Sequence, residues 1–225
     1  MTTMSTTSQM TPDAPQPTVA LSEEDALRAD IYGLLAGLVR QAPDAELLDW
    51  LSGLEIDVDG TPLTQAWQAL SQAAEAATPD TLERAHFRHL VGVIQGDITP
   101  YASWYRQGEL MEAALVELRQ DLRALGFERT TNTPEPEDHL AALCEVMAML
   151  VTDATKPRQA HFFFHHLAPW APQCWGDLAK VDTTFYAALG DLGRIFMESE
   201  AARLQESASQ SAVRIVSPAE LDQTI

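Results

Sequence analysis

Lysine is almost absent: the 225 residues contain only Lys156 and Lys180, and Lys plus Arg total 14 against 33 Asp plus Glu. A formal net charge of -19 repels phosphate backbones and anionic lipid, because affinity for both comes from Lys and Arg displacing counterions. Nucleic acid and membrane surfaces are thereby poor candidates as partners, and cationic peptides are good ones. Neither lysine follows a glycine, so no phosphate-cradling loop is present. Cysteine is scarce too. Cys144 and Cys174 stand far apart, which rules out a disulfide framework or a four-cysteine zinc site and makes each a small apolar core residue. No run approaches the ~18 apolar residues of a membrane span. The first residues lack both basic groups and an apolar stretch, so they are not a secretory signal, and the expected compartment is the cytoplasm. Period-2 alternation between hairpin turns is missing, and so are a serine elbow, a dinucleotide fingerprint and an internal repeat.

What is present is helical. Apolar residues make up 46% and charged residues 21% of the chain, a globular balance. Ser22 with Glu23, Glu24 and Asp25 opens a helix whose stripe is Leu27, Ile31, Leu34, Leu35 and Leu38. Ala45 to Leu54 reads as a second helix. Thr61-Pro62 and Thr78-Pro79 each pair a cap with proline at the first helical position, the second helix ending near Gly92. Met111, Leu115, Leu118, Leu122 and Leu125 form the clearest stripe, and Gly126 terminates it. Asp138 caps the next helix, which carries Leu140, Leu143, Met147 and Leu150. Pro157 starts a helix to about Leu167, Pro169 and Pro172 break the chain, and a last helix carries Phe185, Leu189, Leu192 and Phe196. The expected fold is all-α, a single-domain bundle of about eight or nine helices over 21–206. A disordered start over 1–20, a flexible linker near 127–137 and a polar tail over 207–225 complete it.

Candidate chemistry is thin. His161 and His165 share one helix face beside His166 and admit a metal-dependent enzyme as an alternative reading, yet no carboxylate lies at the matching offset on that helix. His86 and His89 form a similar pair. The densest polar run is Glu135-Pro136-Glu137-Asp138-His139, read either as a polar anchor for a cationic ligand or as one cap in a solvated acidic turn. Pro100-Tyr101-Ala102-Ser103-Trp104-Tyr105 concentrates aromatics that line a peptide pocket or plug the end of a bundle. A purely structural helical adaptor remains a further reading.

These runs, in their order, resemble the TorD/DmsD family of molybdoenzyme-specific chaperones. Ala85-His86-Phe87-Arg88-His89-Leu90-Val91-Gly92 looks like that family's aromatic-x-Arg-Leu-Phe-Val-Gly segment, with departures at His86, His89 and Leu90. Pro100-Tyr101-x-Ser103-x-Tyr105 looks like its Pro-aromatic turn, and Glu135-Pro136-Glu137-Asp138-His139 is its signature in full. His166-Leu167-x-Pro169-Trp170 and Phe185-Tyr186 are similar to its C-terminal elements. The resemblance implies a cytoplasmic chaperone, without cofactor or catalysis. It would bind the twin-arginine signal peptide of a molybdopterin oxidoreductase catalytic subunit, hold the apo-enzyme during cofactor insertion and delay its export. It implies a monomer or helix-swapped dimer. Family positions implicated in peptide binding match His86, Leu90, Ile94, Asp138 and His139; Tyr101, Trp104, Glu135 and Glu137 complete the expected acidic and apolar groove.

Overall fold

The computed structural model describes residues 21–57, 59–92, 96–110, 113–127 and 136–212, with side chains to 206. The expectations for residues 1–20, most of the linker, Ile94, Glu135 and the tail beyond 206 fall outside the described side chains. Ten α-helices are found among the described residues, one or two more than expected: α1 Glu23–Arg40, α2 Ala45–Ser52, α3 Pro62–Glu75, α4 Pro79–His86, α5 Ala102–Gln107, α6 Ala113–Ala124, α7 Leu140–Asp153, α8 Lys156–Phe162, α9 Ala171–Leu178 and α10 Thr184–Ala212. The all-α class is as expected, and no strand occurs among the described residues.

The caps explain where the helices start. Ser22, Asp44 and Thr61 accept hydrogen bonds from the backbone amides of Asp25 (3.0 Å), Leu47 (2.9 Å) and Thr64 (3.2 Å), satisfying donors that a helix leaves open. Gly126 ends the α6 region in the left-handed conformation, φ 84°, as its position predicts. The additional helix α9 begins with Pro172 in its first turn. Proline there is a starter and not a breaker, because the missing N–H would have had no intrahelical acceptor.

Helix α1 lies along α7; α10 packs on α9, α3 and α8; α2 covers α3, and α5 touches α6 and α9. The stripe of α1 differs from the sequence pattern at its start. Leu27 is 60% exposed, whereas Arg28, Ile31, Tyr32, Leu35, Leu38 and Val39 are buried. The inward face is rotated because Arg28 and Tyr32 find a buried acid on α10. Cys144 and Cys174 sit in the core as expected, and burial pushes the Cys174 thiol up to about 12.

Helices α4 and α8 each run on into a single π turn, Phe87–Val91 and Phe163–Leu167. The wider bonds that define them run from Gly92 N–H to Phe87 O at 2.6 Å and from Ala168 N–H to Phe163 O at 2.9 Å. Such turns re-aim side chains locally. Here the first leaves Phe87 and Val91 half-exposed while His89 is buried completely.

Candidate functional site

The two polar runs singled out in the sequence meet. Ala102 N–H donates to Asp138 O at 2.9 Å and Leu140 N–H to Pro100 O at 2.8 Å, so Tyr101 and His139 face each other as an isolated antiparallel bridge. Their rings pack edge to face with centroids 4.9 Å apart. Below the bridge, one oxygen of Asp138, Oδ2, accepts from Ser103 N–H at 2.9 Å and from Ser103 Oγ at 2.6 Å. Asp138 is fully buried, and its Oδ1 has no hydrogen-bond partner among the described residues.

This geometry corrects the expected cap. The N-cap of α7 is His139, whose Nδ1 accepts from Ala141 N–H at 3.2 Å, and Asp138 is turned back to the start of α5. His139 therefore does not project from the helix surface; it is buried, and burial together with the positive charge of Arg40 and His86 lowers its pKa to about 4. An imidazole in that setting is neutral and works as an acceptor, which a cap requires.

The remaining expected residues separate into scaffold and surface. His86 is buried, with Nε2 donating to Val39 O on α1 at 3.0 Å. Leu90 is half-buried against the core. Glu137 takes the Arg119 guanidinium of α6 in both prongs, the shortest contact being 2.8 Å. Trp104, at 37% exposure, reaches solvent, and Tyr101 is partly exposed.

Trp104 and Tyr105 line a cavity of about 410 Å³ between α5, the loop before it and α9, together with Asp97, Ile98, Gln173 and Asp177. Its carboxylates escaped the sequence expectations because one lies in a loop and the other on the helix hidden behind Pro172. Asp97 is set at the rim by close backbone contact. Ile98 N–H donates to His89 O at 2.7 Å, and a Cβ on Gly96 would come within 2.6 Å of that same oxygen, so only glycine allows the approach. Asp97 also takes His89 Nδ1 at 2.7 Å, while Nε2 of that ring contacts Thr183 Oγ1 at 2.8 Å. Tyr105 donates its hydroxyl to Asp177 at 3.2 Å, and its ring lies 5.6 Å from that of Trp170. Burial and the neighbouring Cys174 and Asp177 push the Tyr105 pKa upward, keeping the hydroxyl a donor.

The histidines of the alternative reading gather around Asp121 of α6: His166 Nε2 at 2.7 Å and His161 Nε2 at 3.5 Å. His161 and His165 stack with centroids 4.1 Å apart, and His165 Nδ1 donates to His161 O at 2.9 Å. No group of three or more His, Cys, Asp or Glu among the described residues is arranged to hold a metal ion. Nor is any helix there long and apolar enough to cross a membrane.

The described residues form an all-helical body with an open cavity edged by acids and aromatics. Comparison with known proteins names its family. The family model described as nitrate reductase delta subunit matches residues 56–175. The chain is 28% identical over 84% of its length to the chaperone protein TorD of Shewanella pealeana, covering 94% of that protein. It is 30% identical over 64% of its length to the Tat proofreading chaperone DmsD of Salmonella typhi, covering 79% of it. A crystal structure of a redox enzyme maturation protein from Archaeoglobus fulgidus superposes with a TM-score of 0.54 over 76% of this chain and 94% of that one, at 17% identity, and so shares the fold. The chain belongs to the TorD/DmsD family of system-specific chaperones. It is a chaperone and not an enzyme.

Proposed function

We propose that the chain works in the cytoplasm on one molybdopterin oxidoreductase, taking the twin-arginine leader of its apo-form and delaying export until the cofactor is in place. The observation that carries this reading is the cavity beside α5. Asp97 and Asp177 edge it and Trp104 and Tyr105 wall it, a chemistry suited to a peptide that is cationic at its head and apolar along its body. A net charge of -19 steers such a peptide inward at a rate that falls with ionic strength. The expected set around Asp138 and His139 stays in the reading through Ser103, which Asp138 holds and which precedes Trp104 on α5.

The test is calorimetry with a synthetic leader peptide of a co-encoded molybdoenzyme, at low and moderate salt. Saturable binding that weakens with salt, and that is lost when both arginines become glutamine, supports the reading. Absence of binding to the leader and to the full-length apo-enzyme rejects it. Removing the leader from the apo-enzyme separates this reading from a plain adaptor, which would keep its affinity.

A further inference from the structure

We propose that Asp138 is a positioning residue: its carboxylate fastens the N-terminus of α5 to the start of α7, and so sets Trp104 and Tyr105 at the cavity without meeting a ligand itself. Helix α5 is six residues long, and its own N-cap residue, Tyr101, supplies no side-chain acceptor. A helix this short does not persist alone. The acceptor it lacks comes from a residue 35 positions away in sequence: Asp138 Oδ2 receives both the Ser103 amide and the Ser103 hydroxyl. The backbone repeats the tie, Asp138 O accepting from Ala102 N–H at 2.9 Å.

Burial rules out a direct part. Asp138 is 0% exposed, whereas the cavity is bounded by the next two residues of α5 after Ser103, Trp104 and Tyr105. The guanidinium of Arg119 is bonded to Glu137, the residue before Asp138. The division of labour between the two oxygens is decisive. Oδ2 makes both bonds to Ser103, and Oδ1 makes none among the described residues. An asparagine can present its carbonyl oxygen where Oδ2 lies and its amide where Oδ1 lies, keeping the cap and losing the charge. An anionic anchor for a guanidinium cannot tolerate that exchange, because charge-assisted bonds are the strong ones. A cap can.

The experiment reads hydrogen exchange of the α5 amides in the free chain, and affinity for a synthetic twin-arginine leader peptide, in Asp138→Asn, Asp138→Ala and Ser103→Ala. The exchange arm stands alone; the affinity arm rests on the reading of the cavity as the leader's seat. Exchange at the Ser103 amide should rise about tenfold in Asp138→Ala and stay within about twofold in Asp138→Asn. Affinity should follow the same order, with Ser103→Ala between. Should Asp138→Ala not fold, Asp138→Asn decides: protection kept supports the positioning role, and exchange more than about tenfold faster overturns it. Unchanged exchange in a folded Asp138→Ala also overturns it, as does loss of leader affinity in Asp138→Asn with α5 still protected. A wild-type chain that binds no leader removes the reading of the cavity and leaves the exchange result to judge Asp138.

Discussion

Arg28 on α1 and Glu200 on α10, 172 positions apart in sequence, meet as a two-pronged ion pair inside the bundle, Nε to Oε1 at 2.7 Å and Nη2 to Oε2 at 2.6 Å. Their side chains are 4% and 1% exposed. Tyr32 donates to the same carboxylate at 3.1 Å, and Asp25 and Gln159 accept from the remaining guanidinium nitrogen at 2.6 and 3.3 Å. Every prong is answered, so the pair holds α1, α8 and α10 in one register.

The pair predicts an asymmetry. Glu200→Ala leaves a buried guanidinium with only the Asp25 carboxylate opposite it and Tyr32 without its acceptor, and should cost about 3 kcal/mol, whereas the double exchange Arg28→Met with Glu200→Leu removes both charges and should cost less. Urea unfolding followed by circular dichroism measures both. A single-mutant loss below about 1 kcal/mol would mean that the pair behaves as a surface pair does.

His139 makes stability depend on pH. Unfolded, the ring takes a proton near its ordinary 6.5; folded, only near 4, because burial and the charges of Arg40 and His86 oppose it. Between those values the unfolded chain binds the extra proton, so stability is complete above pH 6.5 and falls as the pH drops toward 4. The full loss is about 3 kcal/mol. His166, also lowered by burial and only partly compensated by Asp121, adds to the slope in the same direction. Asparagine caps helices and does not titrate. His139→Asn should therefore reduce the slope of unfolding free energy between pH 6.5 and 4 by up to one proton, and an unaltered slope would show that the ring is not the group responsible.

The helix periodicity was legible because the stripes on α7 and α10 are buried as their spacing demands. It failed at Leu27, where the periodic apolar position is exposed and Arg28 is inside. No local pattern announces that an acid on α10 will neutralise it. The same limit hid the cavity. The family resemblance implied one groove for the Pro100–Tyr105 run and the run ending at His139, and the two do bond to each other. Which of their polar groups face inward depends on pairing across 35 residues. Asp138 carries the strongest local signal of a helix cap and spends it on another helix. Asp97 and Asp177 carry no signal beyond their charge.

Trp104 separates stability from binding. It is 37% exposed and borders the cavity, so truncating it removes a partly buried ring as well as much of the wall. Trp104→Ala should lower the unfolding free energy by about 1–2 kcal/mol and weaken the leader peptide by about 1–3 kcal/mol. Calorimetry and urea titration on one preparation give both numbers. A large stability loss with intact affinity would assign Trp104 to the packing of α5 instead.

Two helical glycines predict effects of opposite sign for one substitution. A Cβ on Gly193 of α10 would fall inside the indole of Trp175 on α9, 2.6 Å from its Cε2, and Trp175 is fully buried with no space to retreat. Gly193→Ala should therefore cost about 1–3 kcal/mol through overpacking, despite alanine's better helix propensity. Gly37 sits on the exposed face of α1 with nothing within 4 Å of its Cβ position, and Gly37→Ala should gain about 0.5–1 kcal/mol. The clash is confirmed by a double-mutant cycle: in a Trp175→Leu background the cost of Gly193→Ala should shrink by about 1 kcal/mol or more. An equal cost in both backgrounds would place the penalty in the backbone of α10 and not against the indole.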